Sequence, residues 1–243
     1  MQFIKATEKR NTTENNVSAP LLRGNFIVDN VSKKYELKIA VVGIYELYIN
    51  GKHITRGYFS PLRTNPTHII YADTYDLTNY IVEGKNTIGV ILGNGMANSV
   101  KKIWDFDKAP WNDAPSVALE LKRDNEIILD ATNLLTHPSE IYFDDFYFGE
   151  HVDANKIIKN WNLPDYDDSS WSNVIIKDPV GQRIEDVYYE PIKCYETIKP
   201  ISVTKGKLGY IYDFGKSVAC TYNLKVKGKI IPFTSKEVEI LYL

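Results

Sequence analysis

The sequence predicts an all-β protein of packed sheets. Three observations carry this: apolar and polar residues alternate over short runs, turn formers separate those runs every ten or so positions, and helix enters only as punctuation. Lys33 to Val42 sets Tyr35, Leu37, Ile39 and Val41 on one side and Lys34, Glu36 and Lys38 on the other, the period-2 pattern of a strand. Ile44 to Ile49 runs into Asn50-Gly51, a pair that tolerates positive φ and suits a two-residue type I′ turn, so Lys52 to Thr55 returns as the hairpin partner. Asp76 to Ile81 offers a side-chain cap and one helical turn before Glu83-Gly84-Lys85-Asn86 breaks the pattern. Thr87 to Leu92 then resumes as a buried strand. Val117, Leu119 and Leu121 alternate again, Lys122 to Asn125 turns the chain, and Glu126 to Leu129 completes a second hairpin. Regularly spaced strands of this kind form a sandwich.

The composition agrees with a folded globular chain. The 243 residues carry 29 Lys+Arg against 31 Asp+Glu, a net charge of −2, with 44% apolar residues. At that length roughly three quarters of the unfolded chain's surface can be buried, so the core needs no staples. The charge is near balance and no basic block is present, which leaves no footprint for nucleic acid or an anionic membrane. The longest apolar runs, such as Ile39 to Val42, are four residues, far short of a membrane span. The start Met1 to Lys5 lacks the apolar core of a signal peptide, so the expected location is cytoplasmic. Cys194 and Cys220 lack zinc-site spacing and are expected as two buried free thiols.

Pro179 to Gln182 and Pro191 to Pro200 read as connecting segments, which puts a domain boundary near residue 185. The domains expected are 1–185 and 186–243. The second holds strand patterns at Tyr210 to Asp213, Thr221 to Val226 and Glu237 to Tyr242, is small for an independent sandwich, and stops within a strand pattern, which suggests truncation.

Few residues declare chemistry. His53, His68, His137 and His151 are scattered without metal-ligand spacing, so no metal ligands are assigned. No nucleophile elbow, P-loop or dinucleotide fingerprint is present, and Gly93-Asn94-Gly95 is a lone G-x-G. Asp144 and Asp145 lie in the aromatic run Ile141 to Phe148; adjacent on a strand, they point to opposite faces, poor geometry for a catalytic pair. They read first as a solvated edge and second as acceptors for sugar hydroxyls or a cation, with Glu150 close by. The 17 Tyr, 9 Phe and 4 Trp supply rings able to stack on a pyranose. Phe106 to Asp113 is a turn-rich surface loop, and the loop residues Trp104, just before it, and Trp111, within it, lie where binding groups concentrate.

The order of segments resembles the N-terminal, non-catalytic part of bacterial α-L-rhamnosidases of the inverting, helical-barrel family. The residues that carry it include Ala19-Pro20-Leu21-Leu22-Arg23, Tyr45-Glu46-Leu47-Tyr48-Ile49-Asn50-Gly51-Lys52, Tyr75-Asp76-Leu77-Thr78, Leu92-Gly93-Asn94-Gly95, Asp167-Asp168-Ser169-Ser170-Trp171 and Gly209 to Gly215. The resemblance implies a jelly-roll β-sandwich followed by an incomplete second β-sandwich domain, with the catalytic barrel and its carboxylates beyond Leu243. No residue here inherits a catalytic role, and no cofactor is required; in some members a jelly-roll module binds L-rhamnose with a calcium ion assisting. The expected function is therefore that of an accessory region contacting rhamnose-containing glycans through Asn94, Trp104, Trp111, Asp144, Asp145 and Glu150. The alternative is a purely structural domain that packs on the missing catalytic domain or on a second copy in a homo-oligomer. The chain departs from the family at Met96-Ala97, where aromatic residues are usual.

Overall fold

A computed structural model describes all residues except 13–14, 101–107, 179–180, 182 and 221–243. It divides into two compact units, Met1–Lys193 and Cys194–Leu243. The strands of the first unit are β1 (Phe3–Lys5), β2 (Pro20–Val28), β3 (Tyr35–Val42), β4 (Ile44–Ile49), β5 (Lys52–His53), β6 (Ile70–Asp76), β7 (Gly84–Gly93), β8 (Ser116–Arg123), β9 (Glu126–Asp130), β10 (Leu135–Pro138), β11 (Ile141–Asp145), β12 (Gly149–Val152), β13 (Ser172–Asn173), β14 (Ile175–Lys177) and β15 (Ile184–Asp186). Helix among the described residues amounts to one-turn 3₁₀ segments such as Ala131–Asn133, capped by Asp130. The expected helical turn after Asp76 is a plain turn, in which Asp76 accepts hydrogen bonds from the backbone N–H and the hydroxyl of Thr78.

Two sheets make the sandwich. One runs β14-β1-β8-β3-β6-β15 with β9 beside β8, the other β13-β10-β2-β7-β4-β5. The Asn50-Gly51 turn forms as expected, with φ of 51° and 79° joining β4 to β5. Inward-facing residues of both sheets, among them Leu37, Ile39, Val117 and Leu119 against Leu22, Leu47, Ile88 and Val90, form one core. Removing these side chains from water is the main force holding the sheets together. The alternation is only half the pattern, because patches of both outer faces are covered too. Phe3, Ala40, Val42, Ile70, Ala72 and Ala118 cluster on one outer face, and Leu21, Trp161 and Trp171 on the other. That is why β3 and β8 are buried at consecutive positions rather than alternate ones.

The polar stretch before Trp171 folds back over the second sheet. Arg23 on β2, fully buried, pairs with Asp168 and donates to the Leu163 carbonyl at 3.0 Å, while its guanidinium lies 5.4 Å from the Tyr166 ring centroid. Gly89 permits the fold-back, since a Cβ there would stand 2.9 Å from the Trp161 ring. At the edge of the first sheet, Lys5 and Lys177 share Asp113 at 3.1 and 2.9 Å. Two expectations are corrected. Asp144 and Asp145 are not a solvated edge: they are 7% and 3% exposed. Cys194 and Cys220 are free but exposed rather than buried, because they sit in a unit whose described residues include no buried ones.

The second unit holds an antiparallel hairpin of β16 (Ser202–Lys205) and β17 (Tyr210–Asp213), the latter matching the expected strand, and every residue of both strands is exposed. The strand patterns at 221–226 and 237–242 lie outside the described residues.

Candidate functional site

Three of the candidate residues come together where β7 ends and β11 passes beneath it. The Asn94 N–H donates to Asp144 Oδ2 at 2.5 Å, and its side-chain amide donates to the Asp144 carbonyl at 2.8 Å. Asn98 Nδ2 donates to Asn94 Oδ1 at 3.0 Å, the Asn11 N–H donates to Asn98 Oδ1 at 3.0 Å, and Asn11 Nδ2 donates to the Asp144 carbonyl at 3.2 Å. Asp145 points the other way, accepting from the N–H groups of Val100 at 3.2 Å and Tyr147 at 2.8 Å. Both carboxylates are engaged by backbone N–H groups of the loops around them, which is what burial demands of a polar group. Burial pushes the Asp144 carboxyl up to about 6; the Asn94 N–H opposes the rise, and the negative charges of Glu150 and Asp145 add to it.

Glu150 is the cross-strand partner of Asp144 and is exposed. Trp111 is half-buried in a turn fastened to the Asn94 segment by the Asp113 N–H, which donates to the Ala97 carbonyl at 3.0 Å. Trp104 lies outside the described residues. Among the described residues no group of three or more His, Cys, Asp or Glu side chains is placed to hold a metal ion. Nor is any helix among them long and apolar enough to cross a membrane.

A second constellation lies among other residues of the sandwich that carry no recognisable motif. A cleft opens between residues 56–62, which follow the β4-β5 hairpin, and residues 187–192, which follow β15; Asp73 of β6 and Arg56 also line it. Asp73 shares the inward face of β6 with Tyr75, at the end of the core, where Tyr45 of β4 donates to Asp73 Oδ2 at 2.5 Å and meets the Tyr75 hydroxyl at 2.8 Å. Burial raises the Asp73 carboxyl above its ordinary range, partly offset by the Tyr45 hydrogen bond and the Arg56 charge, and lifts Tyr75 to about 12. Arg56 stacks 4.8 Å from the Tyr75 ring centroid and donates to the Thr74 carbonyl. The walls are knit together: the Tyr58 N–H donates to the Ile192 carbonyl at 2.8 Å, the Leu62 N–H to the Tyr189 hydroxyl, and a Cβ on Gly57 would meet the Ile192 carbonyl oxygen at 2.6 Å. The visible signal was Gly57-Tyr58-Phe59-Ser60-Pro61, an aromatic pair between turn formers. Its partners stand more than a hundred residues away in sequence.

The comparisons with known proteins fit this architecture. The model of the α-L-rhamnosidase N-terminal domain family matches residues 31–196. An α-L-rhamnosidase of Formosa agariphila is 30% identical over 213 residues, 83% of this chain and 22% of its own length. The solved α-L-rhamnosidase of Dictyoglumus thermophilum superposes with a TM-score of 0.75 at 33% identity, covering 88% of this chain and 25% of that one. The Streptomyces avermitilis α-L-rhamnosidase, solved in complex with L-rhamnose, shares the fold at a TM-score of 0.72 and 23% identity, covering 82% of this chain and 20% of that one. The chain thus spans about a fifth to a quarter of the relatives it matches. With the family's sequence pattern over most of the first unit and its β-sandwich beneath it, the chain belongs to the α-L-rhamnosidase N-terminal domain family.

Proposed function

We propose that this chain serves an α-L-rhamnosidase as an accessory, non-catalytic β-domain that packs beside a catalytic domain and does not itself cleave the sugar. One observation supports the reading above others: the buried acids are spent singly. Glycoside hydrolysis needs two carboxyl groups flanking the scissile bond, ~5–5.5 Å apart for retention or ~6.5–9.5 Å for inversion with room for a water. Asp144 and Asp145 instead point apart, each hydrogen-bonded to its own loop. Glu150 faces Asp144 as a neighbour across a two-stranded ribbon, not across a pocket. Among the described residues lining the cleft, Asp73 is the one acid and has Arg56 beside it rather than a second carboxylate. The length of the relatives leaves most of their chains to carry the chemistry. An assay of the purified chain with an aryl α-L-rhamnoside tests the reading. No turnover above the blank is expected, and turnover that disappears in Asp144→Asn or Glu150→Gln would overturn it.

A further inference from the structure

The β11-β12 ribbon belongs to neither main sheet, and its two strands are held unequally. β11 is pinned to the body: the Ile141 carbonyl accepts from the Ala19 N–H at 2.9 Å, Phe143 is buried, and Asp144 accepts from Asn94 at its carboxylate and from Asn94 and Asn11 at its carbonyl. β12 is not pinned in this way. Glu150, His151 and Val152 are all exposed, and among the described residues the strand pairs with β11 alone. Asp144 and Glu150 stand directly opposite each other in the register, two acids on one face of the ribbon. We infer that the ribbon is a proton-operated latch: a proton shared between Asp144 and Glu150 closes β12 on β11, and its loss to water lets β12 peel away from the Phe143 side chain.

Two ionised carboxylates on opposed residues repel, whereas a protonated carboxyl donates a hydrogen bond to an ionised one. The groups around Asp144 favour the shared proton. The end of β7 and the N-terminal arm bring Asn94 and Asn11, both neutral; β11 brings Asp145 and β12 brings Glu150; among the described residues neither Asp144 nor Glu150 has a cation paired with it. Burial raises the Glu150 carboxyl as it does that of Asp144, so the pair holds a proton into the mildly acid range. His151 turns to the other face, its ring 4.9 Å from that of Phe143 and 5.6 Å from that of Tyr142, where Lys156 Nζ lies 5.9 Å from the Tyr142 centroid. The opening is local because the foot of the ribbon is tied separately, by Ala19 to Ile141 and by the Asp153 N–H to the Glu140 carbonyl at 2.9 Å. A two-stranded ribbon has little stability of its own, so one lost cross-strand contact matters.

The latch goes beyond the accessory role, which is tested by turnover, and is read without any substrate. Hydrogen exchange followed by mass spectrometry on the purified chain at pH 5 and pH 7.5, corrected for the intrinsic exchange rate, is the experiment. Residues 141–152 should exchange faster than β3 and β8 at both pH values, and their protection should fall about tenfold from pH 5 to pH 7.5, as a carboxyl at about 6 when closed and 3.8 when open requires. Asp144→Asn should remove the change and Glu150→Gln reduce it. Imidazoles change charge over the same interval, so His151→Gln is the control and should retain the change. On the parent chain, carboxyl-carbon NMR should show the Asp144 and Glu150 resonances both moving across the step near pH 6. Ribbon protection equal to that of β3 and β8, or independent of pH, overturns the latch. So does a change that survives Asp144→Asn and vanishes in His151→Gln, or a Glu150 resonance that stays still across the step.

Discussion

Asp144 carries a proton to higher pH in the folded chain than in the unfolded one, because burial and two neighbouring acids disfavour its charge. A carboxyl raised to about 6 when folded, against 3.8 when free, stabilises most at acid pH, and that contribution is lost as pH rises from about 4 to about 6. Asp144→Asn is neutral throughout and keeps an acceptor for the Asn94 N–H. Urea unfolding should show the variant gaining on the parent by about 2–3 kcal/mol between those limits; a gap independent of pH would refute the assignment. Arg23 poses the opposite problem, a permanent charge with no exposed surface. Removing its partner by Asp168→Ala leaves that charge uncompensated and should cost about 3–5 kcal/mol in denaturant unfolding. Arg23→Met should cost less, because Asp168, with a quarter of its side chain exposed, can be rehydrated. Equal losses would contradict the asymmetry. Neither residue's role was legible in sequence: Asp144 read as an edge acid and Arg23 only as part of a segment carrying the resemblance, because what engages them arrives from residues 11, 94, 163 and 168.

Strands and turns were the legible scale. Tyr35–Val42, Ile44–Ile49 and the Asn50-Gly51 turn lie where alternation and turn chemistry put them, since both signals are local. Coverage of the outer faces was not legible, because it depends on which loop folds over which strand. Gly89 shows the difference: in sequence it interrupts an apolar run, whereas in the fold it makes room for Trp161 on the central strand β7. Gly89→Ala should therefore overpack that face, with a loss of about 1–3 kcal/mol and a red shift of tryptophan emission as Trp161 is displaced. A stability change near zero with unaltered emission would mean the loop yields freely.

The two units differ in what protects them. The three buried apolar clusters all fall within Met1–Lys193, whereas the hairpin of β16 and β17 in the second unit is exposed along both strands. A two-stranded hairpin without a covered face is marginal in water. Hydrogen exchange followed by mass spectrometry should find Ser202–Lys205 and Tyr210–Asp213 exchanging orders of magnitude faster than β3 and β8; comparable protection would show that something covers the hairpin. The sequence by itself determined the all-β class, the hairpins and the family, because strand periodicity, turn residues and motif spacing are written in consecutive residues. Only the tertiary structure decided that Asn94, Asp144 and Asp145 turn inward to hold loops, and that Arg56, Phe59, Asp73 and Tyr189 share a cleft. Burial and convergence depend on which distant segments meet, and the sandwich makes that choice when its two sheets close over a common core.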